Sequence, residues 1–249
     1  MRTALGQTWD DSLRKLQDLG FTVKQSGKML LHNPALTICS SEKLSYHFEV
    51  LGSFGFKTEE IKEILVQEPK IFNTESRVLK RNHSNLLTQI GDHQGRIAAL
   101  QAPNLLVDNP LVTNQKIDYC IMEMYLSKPI IAKSKILQCP FSLIKTRHTF
   151  AYRSGLYKKI DPKNKEGLAN NPSIRDLFLC SDEDFLTRFK GFTLEEYAVF
   201  EAMVSEEDQI NEDEQMDGNI DDDSAEDDGN PGHYNKRGPA KKGSSTRDK

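Results

Sequence analysis

Long apolar runs are missing from this 249-residue sequence. No stretch reaches 18 apolar residues, so no helix is expected to span a membrane and no membrane partner is expected. Cysteine is scarce. Cys39, Cys120, Cys139 and Cys180 lie far apart with no CxxC pair. That argues against a disulfide-stapled secreted scaffold or a zinc ribbon, and reads all four as small buried thiols. His32, His47, His83, His93 and His148 show no HxxxH or HExxH spacing, so no metal site is expected. There is no P-loop, GxGxxG, GxSxG or recognisable Cys/His arrangement, and the acids of the body fall in first turns of helices, where the macrodipole accounts for them. No catalytic residue and no cofactor are expected. Nor do the first residues supply a leader of known type. Asp10 and Asp11 follow soon after Met1 and Arg2, with neither the apolar core of a secretory signal nor an Arg-rich, acid-poor presequence. Residues 1–8 are read as a leader segment, of a chain that is either not imported or lacks its native start.

Excess positive charge is also missing from the total. With 33 Lys+Arg against 37 Asp+Glu the net charge is −4, which argues against a nucleic-acid binder. The charge is segregated, however. Residues 205–249 hold 14 acids and 6 bases, −8, leaving 27 bases and 23 acids, +4, in residues 1–204. Residues 206–228 carry 13 acids and no base, and 229–249 are rich in Gly, Ser, Lys and Arg. With so few apolar residues to offset ordering entropy, 205–249 is expected to be a disordered tail, acidic and then basic.

What the body does contain is a repeat. Leu19-Gly20-Phe21 precedes Pro34 by 14 residues, Phe54-Gly55-Phe56 precedes Pro69 by 14, and Ile90-Gly91-Asp92 precedes Pro103 by 12. Cys139-Pro140 closes a fourth unit, making the prolines 35, 34 and 37 residues apart; a fourth glycine would fall near Ser127, where there is none. Each unit reads as a first helix with apolar residues at helical spacing (Leu13, Leu16, Leu19; Leu44, Phe48, Leu51; Ile117, Cys120, Ile121, Met124). Glycine ends it in the left-handed region, a shorter second helix follows, and proline stops that helix. In unit two the second helix is Thr58–Leu65, with Thr58 as its capping hydroxyl. Apolar pairs such as Ile71-Phe72 and Leu105-Leu106 then make a short third turn. No segment alternates as a strand does. The fold expected is an all-α solenoid of about 35-residue repeats over residues 9–204, each burying its apolar face on its neighbours.

Beyond unit four the pattern changes. A basic helix, Lys145–Arg153, is followed by a polar loop, Asp161–Gly167, and three short helical segments: Ser173–Phe178, Ser181–Phe189 and Thr193–Met203. Ser181 and Thr193 read as N-caps, the latter with Glu196 in a capping box. They form an atypical terminal cap.

The Gly-to-Pro spacing, with LxxLGF near the end of the first helix and Pro-x-Leu/Ile-hydrophobic closing each unit, resembles the mitochondrial transcription termination factor (mTERF) family over residues 9–204. Ser142-Leu-Ile-Lys145-Thr-Arg147-His148, Arg153-x-Gly155-x-Tyr157, Asp184-Phe185-Leu186-Thr-Arg188, Glu195-Glu196-Tyr197-x-Val199-Phe200 and the acidic tail look most like its fourth vertebrate paralogue group, which acts in mitochondrial ribosome biogenesis. The resemblance implies a half-doughnut of helical repeats in the mitochondrial matrix. It implies that a basic groove binds mitochondrial rRNA, and that the protein brings an rRNA 5-methylcytosine methyltransferase of the NOL1/NOP2/Sun type to the large subunit. Family members are usually longer at the N-terminus.

Basic residues are concentrated between Lys57 and Lys165, and a stripe of them along a solenoid would track a phosphate backbone. The candidates are Lys80, Arg81, Lys116, Lys145, Arg147, His148, Arg153, Lys158 and Lys159, with Tyr152 and Tyr157 available for stacking. The ordinary alternative is a solvated helix surface. For a protein partner the candidates are Leu177, Phe185, Phe189, Phe192, Tyr197 and Phe200, which either close the core or leave a patch exposed. Two other functions stay open: a mitochondrial DNA-binding regulator of transcription, and a protein–protein adaptor without nucleic acid.

Overall fold

Proline and glycine punctuation sets the architecture. In the computed structural model, residues 4–159, 171–188 and 191–217 are described, with side chains described between Trp9 and Ile210. Among them there are only helices and turns. Unit one comprises α1 (Ala4–Asp18), α2 (Val23–His32) and a 3-10 turn, Pro34–Ile38. Unit two comprises α3 (Ser41–Ser53), α4 (Thr58–Gln67) and Pro69–Asn73; unit three, α5 (Ser76–Ile90), α6 (Asp92–Gln101) and Pro103–Leu106. Unit four comprises α7 (Pro110–Met122), α8 (Lys128–Lys133) and Ile136–Gln138. The cap consists of α9 (Phe141–Arg153), α10 (Ile174–Phe178), α11 (Asp182–Leu186) and α12 (Leu194–Asp217).

Gly20, Gly55 and Gly91 take φ of 84°, 83° and 91°, so the chain turns between first and second helices where only glycine is unstrained. In unit four that role falls to Tyr125, at φ 57°, two residues before the position the glycine spacing indicates. The closing prolines begin the 3-10 turns rather than merely ending the second helices. The residues before them, Asn33, Glu68 and Ala102, share φ near −140° to −131° and ψ of 72–82°, the extended side that a following proline enforces. Pro140 is not the fourth member of this set: it caps α9, and unit four closes on Ile136 without a proline. Thr58 is the first residue of α4, not its cap; the N-terminus is held by Glu60, whose carboxylate accepts from the Lys57 N–H at 2.7 Å.

Second helices stack along the array, α2 on α4, α4 on α6 and α6 on α8, while α7 packs between α5 and α9. One continuous apolar core runs from Leu16 to Tyr197. Cys39, Cys120 and Cys139 are buried in it as free thiols, and burial pushes the Cys120 thiol up to about 12. Ser181 and Thr193 cap as expected, Thr193 with Glu196.

The chain divides into two units, residues 1–205 and 206–249. The α12 backbone continues past Ser205 to Asp217. The remainder of the expected tail, the loop Asp161–Gly167 and Phe189 lie outside the described residues.

Candidate nucleic-acid interface

Each first helix sends one polar side chain to the end of its own closing segment. Lys15 Nζ donates to the Cys39 carbonyl at 3.1 Å, and His47 Nε2 pairs with the Thr74 carbonyl at 2.9 Å. Asn82 Nδ2 donates to the carbonyls of Leu106 and Asp108 at 3.0 and 2.8 Å, and Lys116 Nζ to Leu137 at 3.2 Å. Arg147 Nη1 donates to Leu177 and Cys180 at 2.9 and 3.1 Å, while its Nη2 pairs with Asp182. A 3-10 turn leaves carbonyls without partners, and these side chains satisfy them in the interior.

This recurring staple corrects the sequence expectation. Lys116 and Arg147 are buried structural donors, not groove residues. Burial pulls the Lys116 ammonium below its ordinary value, against the attraction of Asp108. His148 is 3% exposed; its Nδ1 pairs with the Tyr119 hydroxyl at 2.9 Å, and burial, aided by Lys159, lowers its pKa to about 4. A phosphate has no access to any of the three. The rest of the C-terminal basic cluster is engaged at the surface. Half-buried Lys145 lies over the Phe141 ring, Arg153 lies over Phe200, and Lys159 pairs with Glu123 at 2.7 Å and lies over Tyr152. Tyr157 is buried, its hydroxyl donating to the Met124 carbonyl at 2.6 Å. Lys158 is exposed, its backbone held by Asn171.

Lys80 and Arg81 are both exposed on α5, one turn beyond Ser76 and Arg77, which help to wall a groove that the sequence did not reveal. Its walls are Lys43, Tyr46 and His47 of α3, and Asn73–Arg77 at the junction into α5. The Tyr46 ring is 47% exposed, its hydroxyl donating to Ser76 Oγ at 3.0 Å. Arg77 is exposed and paired with Glu75 at 2.6 Å. Ser76 and Lys80, and Arg77 and Arg81, are four apart on α5 and therefore share its outer side. One residue before the staple, successive first helices present Arg14, Tyr46, Arg81 and Gln115, all exposed. The basic face ends at unit four, where Leu111 and Val112 stand exposed. An exposed ring flanked by cations suits base stacking beside a phosphate backbone. The only sequence signal for it was the shared repeat register, which residue type alone does not show.

Two further cations of units two to four bind the scaffold. Arg96 pairs with Glu60 at 2.8 Å across repeats, and Lys128 Nζ donates to the Gln89 carbonyl at the end of α5.

Of the residues expected to meet a protein partner, Leu177, Phe185 and Tyr197 are core. Phe185 and Tyr197 pack at 5.5 Å and both surround Phe150. Phe200 is half-buried against Phe150 at 5.0 Å, and Phe192, though touching Phe150, is exposed. Leu194, Val199 and Met203 of α12 are exposed beyond it. Among the described residues no group of three or more His, Cys, Asp or Glu is arranged to hold a metal, and no helix is long and apolar enough to cross a membrane.

Residues 5–186 match the mTERF family model. The chain is also similar to a mouse protein, mitochondrial transcription termination factor 4, with 26% identity over 191 residues. That match covers 76% of this chain and 55% of the relative, so the chain spans little more than half of the relative's length.

Proposed function

The chain belongs to the mTERF family, and on that premise we propose that it is a non-enzymatic nucleic-acid-binding protein of mitochondria. Its ligand is ribosomal RNA, held along the first helices of units two and three, and its partner is a NOL1/NOP2/Sun-type rRNA methyltransferase that it brings to the large subunit. The observation that carries the binding is the groove in which Lys43 and Arg77 flank the exposed Tyr46 ring, with exposed Lys80 and Arg81 one turn further along α5. An aromatic face beside cations favours bases that can unstack, hence RNA loops over continuous duplex. The methyltransferase would dock on the apolar residues left exposed at the cap, Phe192, Leu194, Val199 and Met203. A second reading, a mitochondrial DNA-binding regulator of transcription, takes its support from the printed name of the mouse relative.

Binding of a structured rRNA fragment and of duplex DNA, each measured across a salt series, tests the proposal. Affinity for RNA should exceed that for DNA and fall steeply with salt, and Lys80→Ala/Arg81→Ala should reduce the slope by about 1.4 on the single-strand coefficient. Stronger binding to the duplex would favour the second reading. No salt-dependent binding would leave an adaptor. A native pull-down without a methyltransferase would remove the recruitment claim.

A further inference from the structure

We propose that the groove between the end of α8 in unit four and α10 of the cap is a second phosphate-binding site, one that holds the sugar–phosphate backbone of RNA beyond the Tyr46 face. The proposal rests on the RNA-binding reading and extends it to residues outside that face. The groove is lined by Lys133, Ser134 and Lys135 at the end of α8, and by Ile174, Arg175 and Leu179 around α10. Among the described residues three cations and no carboxylate line it. Lys133, Lys135 and Arg175 are exposed, and among the described residues none of their side chains has an ion-pair or hydrogen-bond partner. Elsewhere in the second helices and cap, Lys62, Arg96, Lys159 and Arg188 each have a carboxylate.

The backbone provides an independent observation. At the equivalent junctions Asn33, Glu68 and Ala102 are extended, whereas Lys135 has φ 60° and ψ 8°, a left-handed conformation that glycine or asparagine would adopt with less strain. Lys135 follows the C-cap Ser134 and ends α8 in the left-handed conformation, and both Lys133 and Lys135 line the groove there. Ile174 and Leu179 give the groove an apolar floor, which strengthens the field of the cations over that of the same charges in open water. Among the described residues no aromatic ring lines it to stack a base. The contact therefore reads the backbone and not the sequence.

The test uses the full chain. RNA affinity is measured over a salt series for the wild type, for Lys133→Ala/Lys135→Ala/Arg175→Ala, and for Lys135→Gly. The triple variant should bind more weakly and lose about 2 from the salt slope, three phosphates at the single-strand coefficient. Lys135→Gly should weaken RNA binding while its melting temperature stays equal or rises, which separates loss of the charge from loss of the fold. An unchanged slope and affinity in the triple variant would overturn the site, including the case where that variant instead loses a protein partner in pull-downs. If the wild type binds no nucleic acid, the proposed function falls and this site falls with it as an RNA contact. If RNA binding is lost on Lys80→Ala/Arg81→Ala but untouched by the triple variant, only this site falls. Inorganic pyrophosphate, titrated while following backbone amide signals, should shift Lys133–Lys135 and Arg175 saturably in the wild type and not in the triple variant; no shift would count against a built site.

Discussion

Arg147 ties α9 to α10 and α11 of the cap. It is 2% exposed, and its guanidinium bonds two carbonyls and Asp182 while lying 4.9 Å from the centre of the Phe185 ring. Removing the guanidinium leaves two carbonyls short of a donor, while half-exposed Asp182 returns to water, so Arg147→Ala should cost about 2–4 kcal/mol in denaturant unfolding. Arg147→Lys should recover only part of that, since an ammonium lacks the planar fork. Any loss of RNA affinity in Arg147→Ala should track the unfolded fraction, a result that a direct phosphate contact would not give. His148 predicts a pH dependence. Its pKa is about 4 when folded, against the ordinary 6.5. Between those values the unfolded chain binds a proton that the folded chain does not, so the stability due to neutral His148 is complete above pH 6.5 and is lost as pH falls toward 4. The full effect is roughly 3 kcal/mol. Urea midpoints measured from pH 7 to pH 4 should therefore fall more steeply in the wild type than in His148→Gln.

At the scale of elements, two helical glycines separate local propensity from packing. Gly95 is buried where α6 meets α5, and a Cβ there would sit 2.9 Å from Leu87 Cδ2 and 3.1 Å from the backbone of Leu86. Gly27 of α2 has nothing within 4 Å of the equivalent point. Gly95→Ala should lower stability by about 1–3 kcal/mol through overpacking. Gly27→Ala should raise it by about 0.5–1 kcal/mol through helix propensity. Thermal melts of the two variants should move in opposite directions, and equal shifts would contradict the α5–α6 packing described.

For the whole molecule, charge is the property that matters at long range. Truncation after Ser205 removes 14 acids and 6 bases and moves the net charge from −4 to +4. It retains Tyr197 and Val204, both buried, so stability should hold. RNA affinity should rise at low salt and selectivity between RNAs should fall, with both differences fading as salt screens the tail. Equal affinity of the two forms at low salt would mean that the acidic segment plays no part in binding.

Periodicity and punctuation by themselves determined the helical class, the repeat length, the left-handed glycines and the capping of the terminal helices. Those features depend on neighbours three to four residues away, which a single sequence displays. The +4 body was equally legible, because charge adds without regard to fold. Which cations are free was decided only by tertiary structure. Lys15, His47, Asn82, Lys116 and Arg147 occupy one recurring position, yet they are of four residue types and bond carbonyls 21–33 residues away. A donor in water and a donor on a buried carbonyl look the same in sequence, because what separates them is the partner that packing brings. For that reason Arg147 and His148 stood out beside Lys145 in the sequence and lie in the core, while Tyr46, which no motif marked, lies open between Lys43 and Arg77.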